Sequence, residues 1–101
     1  MVARTWSGSA TRERADAYVT HLREHTFPQL AAIPGHVGAY ALRRAAGDLV
    51  QFTVVTLWES LEAIAQFSGP DPEIAVVPPA ARALLSSYDG RAVHWDVAIE
   101  Q

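Results

Sequence analysis

At 101 residues and 11.0 kDa, the chain fits one domain spanning 1–101 with its core in about 2–97. Its 50% hydrophobic and 19% charged residues exclude disordered and fibrous classes. A net charge of −3 speaks against a nucleic-acid surface, no apolar run nears the ~20 residues of a membrane span, and Met1-Val2-Ala3-Arg4 opens no signal peptide, so a soluble cytoplasmic protein is expected.

In chain order, Met1–Gly8 reads as a strand, and Thr11 offers helix N-cap chemistry. Ala15, Tyr18, Val19, Leu22, Leu30 and Ile33 recur at helical spacing, which predicts a helix from Arg12 to about Ala32. Pro28 should kink or end it near Phe27, and Pro34-Gly35 stops it. His36–Arg44 and Leu49–Trp58 flank Gly47-Asp48, the signature of a hairpin. Ser60 caps a second helix over Leu61–Ser68. Pro78-Pro79 opens a short third helix over Ala80–Ser86, and Tyr88-Asp89-Gly90 turns into a last strand, Arg91–Ala98. The order β-α-β-β-α-β predicts an α+β, ferredoxin-like protomer with an antiparallel sheet.

Right-handed crossovers place both helices on one sheet face. Yet the third strand is apolar on both: Val50, Phe52, Val54 and Trp58 on one side, Leu49, Val55 and Leu57 on the other. A strand of this pattern is buried on both sides, and the chain has nothing left to cover the second. A two-fold homodimer, sheet against sheet, is therefore expected.

The residue inventory narrows the chemistry. There is no Cys, Lys or Asn, which excludes thiolate nucleophiles, disulfides, iron–sulfur clusters and Schiff-base lysines. His21-Leu22-Arg23-Glu24-His25 matches the H-x-x-E-H inverted zinc-peptidase signature, but the size and third ligand of such peptidases are missing; a polar helix face and no metal site are expected. No nucleophile elbow, glycine-rich phosphate loop or pair of catalytic carboxylates is present.

The segments Ala3-Arg4-Thr5-Trp6, Ile33-Pro34-Gly35-His36-Val37-Gly38, Leu42-Arg43-Arg44 and Leu57-Trp58-Glu59-Ser60-Leu61-Glu62-Ala63 resemble the antibiotic biosynthesis monooxygenase superfamily over about Val2–Val97. The resemblance implies a dimeric α/β barrel with a ligand cavity between sheet and helices. Its members include cofactor-free oxygenases of aromatic polyketide intermediates and haem-degrading oxygenases. The haem-degrading pattern uses an Asn on the first strand, a Trp on the second helix and a His just after it. Here Thr5, Phe67 and the neighbourhood of Val77 stand at those positions, which disfavours haem. The expectation is a cofactor-independent monooxygenase of a small aromatic or polyketide-like substrate; the alternative is a non-catalytic binder of a small hydrophobic ligand.

Such chemistry needs a base, an aromatic wall and a donor for an oxyanion. His94, sharing a strand face with Asp96 at ~7 Å spacing, is either a base of raised pKa or a structural histidine. His25 is the other candidate base. Trp58 either stacks on a planar ligand or packs the core, and Phe67 is pocket wall or core. Tyr40 either donates to a ligand oxygen or wets its hydroxyl. Arg4, on a strand expected to be central, needs an ion-pair partner or an anionic ligand.

Overall fold

A computed structural model describes residues Met1–Gln101. The elements are β1 (Val2–Thr11), α1 (Arg12–His21), a π-helical turn (Leu22–Thr26), α2 (Phe27–Ala31), β2 (His36–Ala46), β3 (Leu49–Trp58), α3 (Leu61–Ser68), α4 (Pro79–Arg82), β4 (Ser87–Tyr88) and β5 (Val93–Asp96). The sheet is antiparallel, in the order β2-β3-β1-β4, with β5 also paired to β1. This is the ferredoxin-like α+β arrangement that the element order predicts, and β1 is its central strand. No helix is long and apolar enough to cross a membrane.

Alternation along β3 decides which face holds the core. Phe52, Val54, Thr56 and Trp58 are buried beneath the helices, while Thr53, Val55 and Leu57 are only half-buried on the other face. One core cluster joins Tyr18, Leu22, Phe52 and Val54 to Ala81 and Leu85; a second joins Leu30, Trp58, Ala63 and Ile64. The β2–β3 hairpin turns at Gly47, whose φ of 62° is the residue's first-position role in a type II′ turn.

The first helix continues past Pro28, as one rod in three parts. Proline has no N–H for the carbonyl four residues back, and its ring would clash there. The chain answers one turn earlier: Phe27 N–H donates to the Leu22 carbonyl, five residues back, and the helix widens. Thr11 stands at the N-cap position, but its side chain makes no capping bond, whereas Ser60 Oγ accepts from Ala63 N–H at 3.2 Å.

The C-terminal quarter departs most from expectation. The third helix covers only Pro79–Arg82, because Ser86 N–H is taken by the Ser9 carbonyl (2.7 Å) and the chain joins the sheet as β4. Residues around Gly90–Ala92 pair with the loop before α4, through Ala75 N–H to Gly90 O and Ala92 N–H to Glu73 O, so β5 begins only at Val93. The opposite sheet face is bare: Tyr40, Leu42, Val93 and Trp95 are each more than half exposed.

Candidate functional site

Between the sheet and α1, α2 and α3 lies a pocket of about 530 Å³, its open mouth included. β1 contributes Arg4 and Trp6, β3 contributes Val54 and Thr56, and α1 contributes Tyr18 and His21. Leu22, Thr26, Leu30, Phe67, Val76 and Val77 are among the rest of the lining, which is mostly apolar.

Arg4 is 5% exposed. It has no carboxylate partner, contrary to the structural ion pair a buried arginine suggests. Instead its two terminal nitrogens donate to the carbonyls of Pro72 (3.0 Å) and Ile74 (2.9 Å), and its Cζ lies 5.7 Å from the Phe67 ring centroid. Burial lowers its pKa from the ordinary arginine value.

His21 is buried with its Nε2 lacking any hydrogen-bond partner. Burial first, and then the charge of His25, lowers its pKa, which favours a neutral imidazole with a lone pair to offer. Tyr18 packs beside it, ring centroids 6.4 Å apart, and burial pushes its phenol well above the usual range. Trp6 Nε1 is committed to the Asp89 carbonyl at 2.7 Å.

Of the residues singled out from sequence, the pocket brings together Arg4 and Phe67. Trp58 is fully buried behind the wall, 6.4 Å from Phe67 and 4.9 Å from His36 between ring centroids, with Nε1 donating to Thr56 Oγ1 at 2.8 Å. It packs the core and does not line the pocket. His94 pairs with Arg4 across β1 and β5, half-buried and outside the lining. Its pKa is lowered by burial and then by Arg4, against weaker upward pulls from Glu73 and Asp71, so the raised value inferred from Asp96 is corrected. Tyr40 lies on the bare face, 60% exposed, and His25 points to solvent. Thr5 also lies on the bare face, paired with Val55, so only Phe67 and Val77 of the three haem-pattern positions reach the pocket.

Sequence reasoning placed His21 only in a metal motif. Its 5.4 Å approach to His25 is joined by no third metal-ligating group. The signal for its burial lay in spacing: three residues after Tyr18 and next to Leu22, it falls on the helix's inner stripe.

No family model and no curated protein sequence matches the chain. Solved structures do. The chain is similar to the monooxygenase ActVA-Orf6 of Streptomyces coelicolor, solved in complex with nanaomycin D (TM-score 0.66, 19% identity, covering 99% of this chain and 91% of that one). It is similar to SnoaB, a cofactor-independent oxygenase of Streptomyces nogalater (TM-score 0.65, 17% identity, 98% and 95% covered). It also resembles the haem-degrader MhuD of Mycobacterium tuberculosis, solved with two haems in its active site (TM-score 0.63, 19% identity, 100% and 99% covered). The chain shares the fold of these structures, the ferredoxin-like α+β arrangement that the sequence resemblance implied.

Proposed function

We propose that the chain is a cofactor-independent monooxygenase of a small aromatic or polyketide-like substrate. One observation carries this reading: a buried imidazole with an unpartnered Nε2 and a buried guanidinium without a carboxylate line the same apolar pocket. The base role thus passes from His94 and His25 to His21, and the oxyanion role falls to Arg4 rather than Tyr40. Phe67, backed by Trp58, forms the aromatic wall.

In an anthrone-like substrate, His21 Nε2 takes a proton from the ring CH₂, and Arg4 stabilises the resulting enolate oxygen. The carbanion reduces O₂ and forms a C–O bond; His21 returns its proton to give the hydroperoxide. Loss of the second C–H proton with O–O cleavage leaves a ketone and releases water. The substrate supplies all the electrons, and the pocket supplies proton transfer and exclusion of bulk water.

Oxygen uptake with dithranol, without added metal or flavin, tests this. Uptake above autoxidation, falling roughly 10²-fold or more in His21→Asn, is the expected result. Stabilisation by ligand with no turnover would favour the non-catalytic binder instead, and a shifted Soret band on haem titration would favour haem.

A further inference from the structure

The pocket's charge is one-sided. Arg4 is the only Arg, Asp or Glu in its lining. Carboxylates stand close by in the loop before α4, yet they face elsewhere: Asp71 and Glu73 meet Arg91 at 3.3 and 3.8 Å. That loop turns its carbonyls toward Arg4 and its carboxylates toward Arg91. The remaining ion pair, Arg43–Asp16, is also elsewhere.

Two carbonyl acceptors engage two of the five N–H groups of a guanidinium and carry only partial charge. No carboxylate contacts Arg4 inside the mostly apolar cavity, since the net −1 of Asp71, Glu73 and Arg91 lies outside the lining, and an anion in the pocket would give the guanidinium a direct partner. A bulky, fully hydrated anion fits poorly, because Phe67 lies 5.7 Å from the guanidinium carbon and the other walls are mostly apolar. A flat ring against Phe67 with a carboxylate at its edge satisfies both groups at once, the oxygens accepting charge-assisted hydrogen bonds.

We propose that the pocket selects a monoanionic aromatic substrate, an aryl or fused-ring carboxylic acid whose carboxylate docks on Arg4 and shares its three remaining N–H groups with the oxygen that becomes the enolate. The proposal rests on the reading of this pocket as the substrate site. It adds a requirement that cofactor-free oxygenation does not itself impose, since a neutral anthrone would serve that chemistry equally.

Titrations of the full-length protein with naphthoate, naphthylmethanol and naphthylmethylammonium of one substitution pattern hold shape constant and vary charge. Naphthoate is expected to bind roughly tenfold or more tightly than the alcohol, the scale of one charge-assisted hydrogen bond, with the ammonium weakest. Thr56, the cross-strand partner of Arg4 in the lining, offers a second variant. Thr56→Glu places a carboxylate beside Arg4 as an internal counter-ion and should erase the preference in protein whose circular dichroism shows it folded. Arg4→Gln should erase it too. Equal or weaker binding of naphthoate in the wild-type protein overturns the proposal, whatever the variants do. If dithranol is still oxidised, the oxygenase reading survives that failure. Preference persisting in a folded Arg4→Gln protein overturns the assignment to Arg4. Binding of no probe, with no dithranol turnover, overturns both.

Discussion

His21, His36 and His94 each bury a ring nitrogen with no partner, and burial lowers the pKa of all three. The consequence for stability has a definite sign. In the unfolded chain these groups protonate near the ordinary imidazole value of ~6.5. In the folded chain they resist protonation to lower pH, so between the two values the unfolded state binds more protons. Their stabilisation is complete above about pH 6.5 and is lost as pH falls through the lowered folded values. Melting temperatures measured across the acid range should therefore fall below about pH 6.5, and His21→Asn should flatten that fall; an unchanged slope would contradict an uncharged, buried His21. At this scale the sequence was legible for Arg4, whose central-strand position announced its burial. Of the two readings open for Tyr40, the water-exposed one holds, because a bulge between His36 and Gly38 shifts the register of β2. Without that extra residue, Tyr40 would share the face of His36 toward the helices.

Had the first helix stayed α-helical throughout, its spacing would have brought His25 to the inner stripe after Tyr18 and Leu22. The π turn makes Thr26, not His25, the next lining residue. Pro28 is visible in the sequence, but whether a proline ends a helix or is absorbed by a wider turn depends on packing around it, here Leu30 and Phe27 against the core. Gly35 likewise does more than stop α2. Its φ is +93°, its carbonyl accepts from Glu59 N–H at 2.8 Å, and an added Cβ would stand 2.6 Å from Ala63 Cβ on α3. Gly35→Ala should therefore cost roughly 2 kcal/mol or more, through backbone strain and overpacking together. In a chain of this length that lowers the melting temperature by on the order of 10 °C, readable by calorimetry. A melt indistinguishable from wild type would mean that α3 sits farther from this turn.

The element order, the central position of β1 and the two-faced third strand were all legible, because each rests on periodicity or on crossover handedness. The short C-terminal pieces were not, because their limits are set by pairing across the chain, Ser86 to Ser9 and Ala92 to Glu73. The largest feature at molecular scale is the bare sheet face. Across it, register aligns Tyr40, Val55, Thr5 and Val93 in one row and Leu57, Ala3 and Trp95 in the next. Trp95 Nε1 donates to Thr5 Oγ1 at 3.0 Å, which ties the indole to the sheet although it is more than half exposed. A contiguous apolar face of this kind, bordered by polar residues, is what a two-fold partner buries. Light scattering should give twice the 11.0 kDa of the chain at micromolar concentration. Val55 is the central test because it lies mid-row and is half-buried already within one copy. Val55→Asp leaves the helix-side core untouched but places a carboxylate inside the proposed contact, at a cost of several kcal/mol to pairing. The variant should scatter as a folded monomer of 11.0 kDa with unchanged far-ultraviolet dichroism. A wild-type monomer at high micromolar concentration would leave this face to some other partner, and the pocket on the opposite side of the sheet would then have to work within a single copy.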